Sequence, residues 1–103
     1  MSIYTLGVWT VKPGREDEFT EAWNAMAAAT AADFPGASAI LLQDRDEPAK
    51  FISTGPWDSL EQIDTWRGSD TFQNGVGRIR ELIEGFEPHT MDVVVTVGYP
   101  RQK

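Results

Sequence analysis

The chain predicts an α+β domain in which one four-stranded antiparallel sheet carries its helices on a single face. Three observations point there. Some segments alternate apolar and polar with period two, others repeat apolar residues every three or four positions, and their order is strand, helix, strand, strand, helix pair, strand. That order is the ferredoxin-like split βαβ plan. With 103 residues, 41% of them hydrophobic, the chain is sized for one domain and one core. The domain is expected to occupy residues 1–98, leaving 99–103 as a polar tail.

Ile3 to Val11 opens the sheet, with Ile3, Thr5, Gly7, Trp9 and Val11 on one side and Tyr4, Leu6, Val8 and Thr10 on the other. Lys12-Pro13-Gly14 breaks that strand. Glu16, Asp17 and Glu18 then stand where a helix N-terminus favours negative charge, so a helix begins near Arg15. Its buried stripe is Phe19, Ala22, Trp23, Met26, Ala27 and Thr30, and Phe34-Pro35-Gly36 ends it. Ala37–Asp44 and Lys50–Trp57 flank the short polar connection Arg45–Ala49 and predict a hairpin.

Asp58-Ser59-Leu60-Glu61 has the form of a capping box and opens a short helix through Ile63 and Trp66 to Gly68. Ser69 or Asp70 caps the next helix, whose stripe Phe72, Val76, Ile79, Leu82, Ile83 and Phe86 runs to a stop at Gly85 and Pro88. Thr90 to Gly98, with Val93, Val94, Val95 and Val97, predicts the last strand. Helices on one face leave Tyr4, Leu6, Val8, part of Ala39–Leu42 and alternate valines of that strand on an apolar outer face. A second copy of the chain is the expected cover, in a two-fold homodimer with sheets face to face.

Composition removes several function classes. The absence of cysteine excludes disulfides, zinc–thiolate sites, iron–sulfur clusters and a thiol nucleophile. A formal charge of -7 repels phosphate backbones and anionic lipid, so neither nucleic acid nor a membrane is an expected partner. The acidic runs Glu16–Glu21 and Asp44–Glu47 read as a solvated helix start and a solvated turn. No stretch reaches the roughly 18 apolar residues needed to span a bilayer, and the expected compartment is the cytoplasm.

Gly7-Val8-Trp9-Thr10-Val11-Lys12-Pro13-Gly14-Arg15-Glu16-Asp17-Glu18-Phe19, the junction Phe34-Pro35-Gly36-Ala37 and the segment Trp57-Asp58-Ser59-Leu60-Glu61 together resemble the antibiotic biosynthesis monooxygenase family. Trp66-Arg67-Gly68-Ser69-Asp70-Thr71-Phe72 adds to the likeness, which runs from about Tyr4 to Gly98. The resemblance implies a dimeric α+β barrel. In the quinone-forming members it further implies oxygenation of polycyclic aromatics without flavin, haem or metal. The family also contains haem-degrading enzymes and isomerases. For the haem-degrading branch the matching positions here are Gly7, Trp66 and Val76, so its asparagine and axial histidine are missing. No cofactor is expected.

Oxygenation without a cofactor requires a substrate that is its own reductant, held as an electron-rich anion in a dry apolar cavity with donors for its oxyanion. The chain has four tryptophans, and Trp9, Trp23 and Trp66, with Phe72, fall on faces turned toward the space between sheet and helices, where they could line such a cavity. Trp66 matches a pocket tryptophan of the family and is the first candidate for a catalytic role. Trp9, Trp23 and Phe72, with Asn74 and Arg78 on the flank of the last helix, are the candidate substrate contacts. On pattern alone each aromatic would serve equally as core, and Trp57 reads as structural. The expected ligand is a small aromatic or hydrophobic molecule. His89 lies away from the aromatic cluster, and Gly75 and Gly77 mark a close approach to the last helix by a ligand or a neighbouring strand. A non-catalytic binding module and a proton-transferring isomerase or lyase are the competing functions for the same cavity.

Overall fold

The computed structural model describes residues 3–98. Strand β1 spans Ile3–Val11, helix α1 Glu16–Asp33, β2 Ile40–Gln43, β3 Lys50–Trp57, α2 Leu60–Arg67, α3 Asp70–Ile79 and β4 Ile83–Asp92. The four strands form one sheet in the order β2-β3-β1-β4, and every neighbouring pair is antiparallel. This is the α+β ferredoxin-like architecture the pattern predicts. Among the described residues no helix is long and apolar enough to cross a membrane.

The side-chain alternation of β1 decides which face of the sheet meets the helices. Gly7, Trp9 and Val11 are buried on the inner face, opposite Ser53 and Phe51 of β3 and Pro88 and Phe86 of β4. Helix α1 begins with three acidic residues, and Arg15 pairs with Glu18 across its first turn. That hydrogen bond holds the Glu18 carboxyl below its ordinary value. The chain leaves the helix through Gly36, whose φ of +95° is a conformation that suits glycine. Phe19, Ala22 and Met26 of α1 then pack with Trp9, Val11, Phe51, Val76, Ile79 and Leu82 into one buried cluster. The Trp9 and Phe86 rings stack at 3.9 Å, and Phe19 lies 4.8 Å from Phe51.

Several boundaries differ from the sequence expectation. The capping pair of α2 sits one residue later than the Asp58/Glu61 reading: Ser59 Oγ accepts from the Gln62 N–H at 3.1 Å, and Gln62 Oε1 accepts from the Asp58 N–H at 2.9 Å. Strand β2 is shorter than Ala37–Asp44, because residues 37–39 cross over β3 instead of pairing with it. Helix α3 stops at Ile79 and is followed by a 3-10 turn over Arg80–Leu82, well before the expected stop at Gly85. The apolar stripe continues through that turn, so Leu82 is buried while the backbone has already changed conformation. Phe86 therefore belongs to β4, where it lies opposite Trp9.

The last strand is accordingly displaced toward the N-terminus of the predicted segment. Its register with β1 runs from Val11↔Ile83 to Ile3↔Asp92, so the valines lie past the end of the described pairing. Val94, Val95 and Val97 are outside any strand and are 75% to 86% exposed. The polar tail expected at 99–103 lies outside the described residues.

Candidate functional site

Helix α1 changes character along its length. Its first half carries Phe19 and Trp23, whereas Ala27, Ala28, Thr30 and Ala31 follow Met26. Small side chains here leave a cavity of about 340 Å³ between α1, the inner face of β1 and β3, and the crossing segment Ala37–Ala39. Thr5, Ser53, Gly55 and Trp57 form its floor, and Trp66 of α2 closes one side. Gly55 is what lets the segment cross so near: a Cβ there would stand 2.1 Å from the Ser38 carbonyl oxygen. Among the described residues, no ionisable side chain lines the cavity.

Aromatic rings pack along the wall. Trp57 and Trp66 lie 4.9 Å apart with their planes at 32°, and Phe72 meets Trp66 edge-on at 4.6 Å. Ser69 fixes this corner, since its hydroxyl donates to the Trp66 carbonyl oxygen at 2.6 Å and accepts from the Phe72 N–H at 3.2 Å. It thereby links the end of α2 to the start of α3.

Three tryptophans share one polar arrangement. The Trp66 indole N–H donates to Thr30 Oγ1 at 3.1 Å, Trp57 to Thr5 Oγ1 at 3.1 Å, and Trp9 to Ser53 Oγ at 3.0 Å. The three residues that accept these bonds, Thr5, Thr30 and Ser53, all line the cavity. Gly7 makes room for the last of these bonds, because a Cβ there would lie 2.9 Å from Ser53 Oγ and 3.0 Å from Trp9 Nε1. The bonds satisfy indole donors that burial would otherwise leave unpaired.

The candidates taken from the sequence divide into two groups. Trp66 and Trp23 line the cavity. Trp9 lies in the core at 2% exposure, outside the lining, and donates to the lining residue Ser53, and Phe72 packs edge-on against Trp66. Asn74 and Arg78 are exposed on α3, outside the lining. Gln62 is engaged at the start of α2, Arg67 donates to Thr90 Oγ1 and the His89 carbonyl oxygen, and the His89 side chain is exposed, 3.7 Å from Glu87. Neighbouring helix, not ligand, meets Gly75: a Cβ there would come within 2.4 Å of Met26. Among the described residues nothing lies within 4 Å of a Cβ at Gly77, contrary to expectation.

Sequence reasoning missed Thr5, Thr30 and Ser53 as cavity-lining residues and left Trp57 out as structural. Trp57 is indeed 8% exposed, yet its ring is part of the cavity wall. The available signal was the hydroxyls themselves. Thr5 and Thr30 stand at positions that the period-two and helical patterns assign to buried faces, where an apolar side chain is the default.

The same fold is found in solved structures. An antibiotic biosynthesis monooxygenase of Chloroflexus aurantiacus J-10-fl is 24% identical with a TM-score of 0.76, the match covering 97% of this chain and 100% of that one. SnoaB, a cofactor-independent oxygenase from Streptomyces nogalater, is 20% identical with a TM-score of 0.82 over 94% of this chain and 97% of its own. A Caulobacter crescentus CB15 structure of the same description is 20% identical with a TM-score of 0.82, covering 91% of each chain. No protein of curated function matches the chain. The family model for antibiotic biosynthesis monooxygenase matches residues 2–78, which takes in β1, the whole of α1, the cavity wall and most of α3. On that match the chain belongs to the antibiotic biosynthesis monooxygenase family.

Proposed function

We propose that the protein is a homodimeric, cofactor-independent monooxygenase that oxidises a phenolic or polyketide-type aromatic to a quinone with molecular oxygen. The observation that carries this reading is an open, ring-walled cavity of about 340 Å³ lined without any ionisable group among the described residues. A flat aromatic fits beside Trp57 and Trp66, and the alanines of α1 give it room. With no base in the lining, the substrate is one that ionises readily by itself, as anthrones and naphthohydroquinones do. For an anthrone, the methylene carbon gives up two hydrogens, one oxygen atom becomes the new carbonyl and the other leaves as water. Both reducing equivalents beyond the new bond come from the substrate, which supports a reaction without a redox cofactor.

The same lining disfavours an isomerase or lyase, which needs a positioned base. A binding module that turns nothing over is the remaining reading. Oxygen uptake by the purified protein with anthrone, with the anthraquinone and water stoichiometry checked, separates the two. Enzyme-dependent uptake that falls at least about tenfold in Trp66→Phe supports the oxygenase, by loss of a group that walls the site and holds Thr30. Compounds that bind without any uptake favour the module.

Support for the homodimer comes from the outer face of the sheet. Tyr4, Leu6 and Val8 of β1 stand there with Ile40 and Leu42 of β2 and Met91 of β4, and the last three are 53%, 51% and 43% exposed. A contiguous apolar face of this kind is suited to a second copy packing sheet against sheet. Light scattering at micromolar concentration should return twice the chain mass, and a monomer would overturn the assembly.

A further inference from the structure

The three indole-to-hydroxyl bonds have a consequence for what the cavity can hold. Thr5, Thr30 and Ser53 each use an oxygen lone pair to accept an indole N–H. Among the described residues none of their O–H groups donates to a protein acceptor, although Thr30 is 7% exposed and all three line the cavity. A hydroxyl that accepts a hydrogen bond is a better donor for it, because the bond polarises the O–H. Each indole occupies one of the two acceptor lone pairs of its hydroxyl, and the hydroxyl proton is left for a guest.

We propose that Thr5, Thr30 and Ser53 are the ligand-orienting donors of this site, and that they select aromatic molecules bearing carbonyl or phenolate oxygens. The tryptophans act behind them as positioning residues, Trp57 for Thr5, Trp66 for Thr30 and Trp9 for Ser53. Among the described residues the lining offers donors and no cation, which suits a delocalised oxyanion or a carbonyl and not a carboxylate or phosphate. The inference rests on the functional reading above only for the aromatic character of the guest.

A matched pair of ligands tests it: 1,4-naphthoquinone and naphthalene share one ring system, and only the quinone has oxygen acceptors. Equilibrium dialysis of the full chain should show the quinone bound at least about tenfold more tightly than naphthalene. Thr5→Val, Thr30→Val and Ser53→Ala should each cut the ratio of quinone to naphthalene affinity by about two- to tenfold. Thr30→Ser keeps the hydroxyl and should restore the preference. Thr30→Val leaves the Trp66 N–H unpaired, so thermal unfolding accompanies each variant, and Thr5→Val and Ser53→Ala decide the matter if Thr30→Val does not fold. No preference for the quinone in the unaltered protein, or a preference that survives all three substitutions, overturns the proposal. Oxygen uptake is read separately: a hydroxyl-dependent preference without uptake sinks the oxygenase and keeps the donors, and uptake with an unaffected preference does the reverse.

Discussion

The space between the sheet and α1 has two ends built from the same elements and filled in opposite ways. At one end the C-terminal half of β1 and the first half of α1 bring Trp9, Val11, Phe19 and Phe51 into contact, and the rings close the space. At the other, the N-terminal half of β1 and the second half of α1 bring Thr5, Ala27, Thr30 and Ala31 together, and a cavity remains. Met26 stands at the divide, buried in the core cluster and also lining the cavity. A single helix thus both closes a core and opens a site, and side-chain volume along its length makes the difference.

If the first end is a closed core, truncating it should be costly. Phe19→Ala removes a fully buried ring and should lower stability by about 3–5 kcal/mol, measured by denaturant unfolding. A loss below about 1 kcal/mol would mean that this end is as loose as the other. The divide is probed by two glycines of α3. Gly75→Ala drives a Cβ against Met26 and should destabilise by about 1–3 kcal/mol, whereas Gly77→Ala enters open space and should stabilise by up to about 1 kcal/mol. Equal effects at the two positions would contradict the packing of α3 on α1.

The open end should respond in binding and not in stability. Ala27→Phe places a ring in the cavity, so 1,4-naphthoquinone affinity should fall at least about tenfold while the folding free energy changes by about 1 kcal/mol or less. The smallest effect lies outside both ends, in the turn between β2 and β3. Asp44 accepts the Glu47 and Asp46 N–H groups at 2.9 and 2.7 Å, which hold its carboxyl below its ordinary value. Its folded-state value lies under its unfolded one, so its stabilisation is present above the ordinary aspartate range and is lost as pH falls through the folded value. Thermal midpoints of the unaltered protein and Asp44→Asn should therefore converge in acid while the cavity's ligand affinity stays the same.

Much of the fold was legible. Strands β1 and β3 and helix α1 were predicted within a residue or so, because alternation and the three-and-four spacing are written locally and stopped by Lys12-Pro13-Gly14 and Phe34-Pro35-Gly36. The end of α3 and the place of β4 were not. Leu82, Ile83 and Phe86 fit a helical stripe as well as a strand, and only pairing with β1 over Ile3–Val11 selects the strand. Valine-rich sequence has high strand propensity, but in β4 that preference has no described partner to act upon past Asp92.

The site was legible in part and for a similar reason. Trp66 and Trp23 were found as aromatics on inward faces, whereas Asn74 and Arg78 were drawn from a helical wheel that cannot tell which neighbour the flank meets. Sequence by itself determined the element types, the missing thiol chemistry, the acid balance and the family. Tertiary structure alone decided that Trp57 joins Trp66 in a wall, that Gly55 admits the crossing segment, and that Thr5, Thr30 and Ser53 meet three indoles separated by 52, 36 and 44 residues in the chain. Periodicity records which face a residue occupies, but a cavity is the space that several faces fail to fill, and that depends on how their volumes meet across distant parts of the chain.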